Sequence, residues 1–341
     1  MTKKSVIVII TVLFSVVAYS QPVADKVKNN KYFKLFTKPK RDTTYIGKFP
    51  QKLSIKPFIG NRVYKFNIRD AWNATHEINY KPNVNNRLGL TVRYKGFSLG
   101  FSLPLPTNDY IYGKTNSFNL YLNTQFSFIN WGTDFFYVRN KGFYLSNAGD
   151  ILSFWKAGSP YPTRPDLLTV NAGLTSHMVF SRKFSMKAAL YQTEKQLKPA
   201  GGISLGTALR FTRVKADSSL IPESQIPYFQ DIKTLTSGGF LTIALAPGYS
   251  YTYVYKDFFI TGMALIGLGL QIQGYRLKPN KLSGGLRLSA YNTFRLAAGY
   301  NADKIFGSIV YHYSNNNIKV KDSRMGFSYQ GVSLNFGMRF F

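Results

Sequence analysis

The chain has no cysteine, three histidines, and 15 acidic residues against 44 basic ones in 341 positions. Each shortage removes a class of chemistry. Without cysteine there is no disulfide framework, no thiolate metal site and no lipid-modified cysteine. So few histidines and such scattered carboxylates leave no cluster with the composition of a metal centre. Long apolar runs are scarce as well. The stretch FFITGMALIGLGL at 258–270 is too short to cross a bilayer as a helix and is interrupted by Gly262, Gly267 and Gly269.

The one other apolar run lies at the start, in MTKKSVIVIITVLFSVVAYSQ. Two lysines, roughly a dozen apolar or hydroxyl residues from Val6 to Ala18, and small residues at Ala18 and Ser20 read as a Sec-type signal peptide over residues 1–20. The run falls short of the ~20 residues a membrane-anchoring helix needs. An exported chain without a spanning helix still enters a membrane if it closes a β-barrel, which satisfies every backbone polar group in lipid.

Aromatic residues are abundant, with 24 tyrosines and 28 phenylalanines, which suits both strands and interface girdles. The formal charge is +29, and loss of Lys3 and Lys4 with the signal leaves +27. Such an excess calls for an anionic neighbour. No nucleic-acid-binding motif accompanies it, so the expected partners are outer-membrane lipid and lipopolysaccharide rather than nucleic acid. Residues 21–50, with KVKNNKYFKLFTKPKR, form a basic periplasmic lead that reads equally as a tether, a partial lumen plug or a disordered tail.

From about residue 86 a two-residue period dominates. In SFNLYLNTQFSFI, residues 117–129, Phe118, Leu120, Leu122, Thr124, Phe126 and Phe128 share one face, while Ser117, Asn119, Tyr121, Asn123, Gln125 and Ser127 share the other. That is a half-buried strand. Comparable segments fall at 86–95, 96–104, 117–129, 132–144, 168–181, 185–195, 200–213, 238–255, 258–275, 284–300, 304–315 and 324–341. The expectation is an all-β, antiparallel transmembrane β-barrel over residues 51–341 with about twelve strands, an even number as single-chain bacterial barrels require. Adding 53–68 and 74–81 gives fourteen as the alternative. With a periplasmic C-terminus, loops 214–237, 276–283 and 316–323 face outward. The same alternation puts the tight turn at 181–183 outside and the long segment 145–167 inside, an awkward pairing.

The final strand, GVSLNFGMRFF, places Val332, Leu334, Phe336, Met338 and Phe340 on one face. An aromatic-ending terminal strand resembles the signal by which outer-membrane barrels are handed to the barrel assembly machinery, here with the register moved by one. More specifically, INYKPNVNNRLGLTVRYKGFSLGFSLPLP (78–106), YPTRPD (161–166), FSMKAALYQTEKQLKPAGG (184–202) and APGYSYTYV (246–254) resemble the Bacteroidota outer-membrane barrel family called domain of unknown function 4421. The resemblance implies an outer-membrane location and a barrel, and no reaction.

Chemistry is hard to assemble. His76, His177 and His312 are isolated; by parity His177 shares a face with Thr175 and Ser181, and His312 with Ser308 and Ser314. Asp134 alone among the carboxylates lies well inside a clear strand, so paired-carboxylate catalysis has no basis. No catalytic residue, metal or cofactor is expected. What remains is a set of arginines of inward parity, Arg87, Arg93, Arg210, Arg287 and Arg295, which either favour anions in a narrow lumen or brace the wall. The sequence thus points to a structural or narrow anion-preferring barrel in the cell outer membrane. The rivals are a lipid-modifying enzyme acting on lipopolysaccharide or phospholipid, with His177 or His312 as base, and a soluble secreted binder of anionic polymers.

Overall fold

The computed structural model describes residues 41–70, 75–84, 86–94, 97–126, 130–277 and 281–341. The expected signal peptide over residues 1–20 and residues 21–40 of the lead lie outside them. The strands in chain order are β1 (Ile46–Lys48), β2 (Leu53–Asp70), β3 (Glu77–Lys81), β4 (Asn86–Tyr94), β5 (Phe97–Pro104), β6 (Asn116–Phe126), β7 (Trp131–Leu145) and β8 (Thr163–Phe180). There follow β9 (Glu194–Gln196), β10 (Ala200–Lys215), β11 (Leu235–Tyr255), β12 (Phe258–Leu277), β13 (Lys281–Asn301), β14 (Ile305–Val320) and β15 (Ser323–Phe340).

All neighbours are antiparallel, and β15 pairs back onto β2 from Phe340↔Leu53 to Ser323↔Asp70. β2, β4–β8 and β10–β15 therefore close a twelve-stranded barrel. Closure pairs each wall strand on both sides over at least part of its length, the arrangement that lets a sheet sit in lipid. The alternation seen in the sequence becomes geometry: Leu268, Leu288 and Phe336 point outward and are 64%, 70% and 59% exposed, whereas their neighbours Gln271, Ser289 and Asn335 are buried inside. Phe118, Leu120 and Leu122 of β6 carry the outward parity, and Asn119 opposite them is buried.

The number twelve is reached by a different set of strands from the expected one. Residues 185–195 do not span the wall: a short π-helical turn, Lys187–Tyr191, and the three-residue β9 fold into the lumen instead. The place is taken by β2, whose eighteen residues the sequence reading kept for its alternative. Residues 77–81 form only a short strand. β3 bridges β2 and β7 at one end, through Phe66↔Tyr80 and Tyr80↔Leu145, above the shorter β4, β5 and β6. This exchange of strands also reverses the awkward pair of connections. The segment 181–199 sits at the rim that carries the C-terminus, where Asn301 donates to the Glu194 carbonyl. Segment 146–162 joins loop 216–234 at the opposite rim, where Arg164 donates to the Ser218 and Ser219 carbonyls. Phe341 lies one residue past β15 and is 85% exposed, and its carbonyl accepts from the Lys52 amide at 2.7 Å.

Two side-chain clusters fill the barrel ends. At the loop rim, inward residues of the strand tops, such as Phe66, Ile68, Phe240, Val320 and Phe327, meet Leu220, Phe229 and Ile232 of loop 216–234. At the C-terminal rim, Phe184, Met186, Ala189, Leu190 and Tyr191 pack on Val179 and Ala200.

One seam departs from a plain cylinder. β13 pairs with β14 only from Asn301↔Phe306 to Tyr291↔Asn316. Beyond that, β13 follows β12 alone while β14 follows β15 inward, with Ile318 and Val320 fully buried.

Candidate functional site

The site is built from the C-terminal rim upward. A loop that enters a barrel must find partners for its backbone groups, and segment 181–199 does so through side chains from the wall. Asn130 accepts from the Met186 amide at 2.9 Å and donates to the Phe184 carbonyl at 2.9 Å. Its φ of 48° lies in the left-handed region, which asparagine tolerates better than most residues. Arg93 of β4 donates to the Tyr191 carbonyl, and Tyr191 donates its hydroxyl to Asp134 of β7 at 3.2 Å. Arg339 of the last strand donates to the Gln192, Ala302 and Asp303 carbonyls and to the Asn301 side chain. Its guanidinium stacks between Phe49 and Phe306, at 3.7 and 4.3 Å from their ring centres. Phe306 in turn lies where a Cβ on Gly337 would stand, so the close approach requires glycine there.

The lead takes part. β1 pairs with β9, Arg41 bridges to the buried Glu194, and Ser185 donates to the same carboxylate at 2.6 Å. Lys195 bridges to Asp257 in the β11–β12 turn. Segment 181–199 is thus a plug, fastened by polar groups on several strands.

The opposite seal is mainly apolar, with polar ties from Tyr80 to the Leu220 carbonyl at 2.9 Å and from Arg164 to the Ser218 and Ser219 carbonyls. On its outer side Glu77 of β3 gathers Lys65, Asn67 and Arg69. Burial pushes its carboxyl up, but the Asn67 hydrogen bond and the two cations outweigh that and hold it below the usual carboxylate range.

Between plug and cap lies a cavity of about 270 Å³. Thr293, His177 and Arg93 are among its buried polar lining residues. The five arginines singled out in the sequence have separate fates. Arg87 is fully buried and braces three strands, donating to the Ser102 hydroxyl and carbonyl and to Ser117. Arg93 anchors the plug. Arg210 reaches from β10 to Ser314 on β14 at 3.0 Å. Arg295 lines the cavity beside His312, its partner in register. Arg287 is exposed on the part of β13 that has no β14 neighbour. The structure adds Arg339 and Glu194, which the sequence reading missed; the inward parity of Arg339 in the terminal strand was the available signal.

The three histidines stand in separate settings. His76 stacks on Tyr228 at the loop rim, with ring centres 3.6 Å apart. Ser181, a hydroxyl considered for His177, instead accepts from the Lys183 and Phe184 amides. Asp134 accepts from Asn123 as well as Tyr191. Among the described residues no group of three or more histidines and carboxylates stands close enough to hold a metal ion, and no helix is long and apolar enough to cross a membrane.

Solved structures with a similar course of chain are outer-membrane proteins. They include the toluene transporter TodX of P. putida (8% identity, 85% of this chain and 91% of that one, TM-score 0.30). The translocator domain of the autotransporter NalP from Neisseria meningitidis aligns at 10% identity over 96% of this chain and 97% of its own, with a TM-score of 0.34. OmpT of Vibrio cholerae aligns at 8% identity over 84% and 98%, with a TM-score of 0.31. No curated protein matches in sequence. The family profile described as Domain of unknown function (DUF4421) matches residues 40–340, nearly the whole of the barrel and its plug, and the chain belongs to that family.

Proposed function

We propose that this protein is a bacterial outer-membrane barrel that is shut at rest, structural in its closed state and passing small anions only when the plug moves. The observation that carries this reading is the lumen, sealed by a polar-fastened plug at one end and an apolar cap at the other. The outer face supports a membrane setting. Its exposed leucines, isoleucines and phenylalanines run around the wall, and a contiguous apolar surface of that kind belongs in lipid rather than water. At the C-terminal rim Tyr249, Tyr251, Tyr253 and Tyr255 alternate outward along β11, as an aromatic girdle does. Export through the Sec pathway, insertion by the barrel assembly machinery, and contact with lipopolysaccharide and phospholipid follow from that setting. The basic lining gives the anion preference. Lipid modification finds less support, because His177 and His312 both border the internal chamber rather than the lipid face.

Planar-bilayer recording tests the reading. The intact protein is expected to be nearly silent, and deletion of residues 184–196 is expected to open an anion-preferring current, read from reversal potentials under a salt gradient. Cation preference would refute the basic lumen, and a wide, steady current from the intact protein would refute the closed state.

A further inference from the structure

Five polar groups that line the chamber have no hydrogen-bond partner: Nε of Arg93, Nε of Arg210, Nε of Arg295, Oγ1 of Thr293 and Nδ1 of His177. Thr293 is 2% exposed and His177 6%. Leaving such groups empty-handed in an enclosed space is costly, most of all for a guanidinium.

Strand register places three of the five near one another. Thr293 on β13 pairs with Ser314 on β14, and Arg210 from across the lumen donates to that serine. Arg295 lies two residues further along β13, on the same face. The rings of Phe136 and Tyr291 hold the Arg210 guanidinium from two sides, at 5.5 and 5.7 Å. Arg210 and the Thr293 hydroxyl thus share one patch of wall, and Arg295 borders it. The chamber's charge is lopsided: Lys56, Arg93, Arg210 and Arg295 line it against Asp134, whose carboxylate is already engaged by Asn123 and Tyr191.

The β13–β14 seam ends close to this patch. The last β13–β14 pair, Tyr291↔Asn316, stands two positions from Thr293↔Ser314, and past it the two strands separate. Arg287 stands exposed on the freed length of β13 with the same parity as Thr293 and Arg295. The volume limits the occupant, since about 270 Å³ is just under the ~300 Å³ at which pockets for drug-sized ligands begin.

We propose that the chamber binds one small oxyanion of the phosphate or sulfate class, gripped by Arg210 and Arg295 with the Thr293 hydroxyl and admitted along the β13–β14 seam past Arg287. Guanidiniums suit this task because their planar forks match oxyanion geometry. The proposal deepens the anion reading of the lumen. It is tested by binding with the plug in place, so a failure to conduct leaves it untouched.

The test uses purified full-length barrel in detergent, with unfolding followed by heat-modifiable gel mobility in sodium phosphate and in sodium chloride at equal ionic strength. The intact protein is expected to unfold a few degrees higher in phosphate. Arg210→Gln and Arg295→Gln should each abolish the difference, whereas Arg213→Gln, on the outward face, should keep it. Arg287→Gln should leave the final shift intact but slow its development after phosphate is added. Equilibrium dialysis of the intact protein with labelled phosphate gives an independent reading, with one phosphate per chain expected. Equal unfolding temperatures in the two salts together with no retained phosphate would show a chamber that holds water only and would overturn the proposal. An undiminished phosphate shift in both glutamine variants would overturn it too.

Discussion

The two ends of this barrel are closed by different balances of apolar packing and directional bonds. At the loop rim the seal is a cluster of buried hydrocarbon, in which Phe229, Ile232 and Leu220 settle among strand-top residues such as Phe240 and Val320. Such packing is non-directional and cumulative, so each side chain adds stability and none decides the arrangement alone. At the C-terminal rim the plug is placed by Arg93, Arg339, Asn130 and Asn301, each aimed at particular carbonyls and amides. Directional bonds fix one geometry, and breaking one strands its partner. The cap therefore acts as a stabilising element, and the plug as a removable one.

The sharpest way to break that comparison is to damage each seal in turn. Phe229→Ala should cost about 3–5 kcal/mol, the range for emptying a buried aromatic site, and should leave bilayer current unchanged because the rest of the cap remains. Guanidinium unfolding and bilayer recording read the two effects. Arg339→Met should cost less, about 1–3 kcal/mol from the acceptors it leaves unpaired, yet should raise current. If Arg339→Met lowers stability without current, apolar contacts alone hold the plug and the contrast between the rims fails.

Asn130→Gly sharpens the point on a smaller scale. Glycine accepts the φ of 48° without strain, so the loss of about 1–2 kcal/mol expected from unfolding measurements reports mainly the side-chain bonds to Met186, Phe184, Val179 and Arg41. The smallest effect concerns pH at the loop rim. The Glu77 carboxyl lies below its unfolded value of ~4.3. Its contribution is therefore present above that value and is lost as pH falls through the lower folded value. Acidification should increase hydrogen exchange in β3 before it affects the plug, and Glu77→Gln should remove that difference.

The sequence carried the architecture further than the site. Long alternating runs such as 238–255 and 284–300 are strands in the structure, because a period of two over more than ten residues has no competing explanation. The strand count survived two errors that offset each other. Residues 185–195 contain a short run, KAALY, too brief for its period to separate a single helical turn from a strand. β2 was obscured by Pro57 and Gly60, and by Lys65 and Arg69 at outward positions, all of which weaken a strand pattern. Both mistakes turned the barrel's connections upside down between residues 145 and 199. The chamber was beyond reach from sequence, since alternation tells which residues share a face and carries no information about what stands opposite. Only the folded register shows Arg210 of β10 meeting Ser314 of β14, 104 positions later.

The pairing of β1 with β9 has a mechanical meaning. Three residue pairs, Ile46↔Gln196 to Lys48↔Glu194, and the Arg41–Glu194 bridge join the chain ahead of the wall to the plug. Tension applied at Arg41 is therefore carried by the plug before it reaches β2, whose sixteen registered pairs with β15 make the stiffer member. The short ladder is the fuse in that load path: a pull along the chain parts the lead from the plug while the plug keeps its seat and the wall its form.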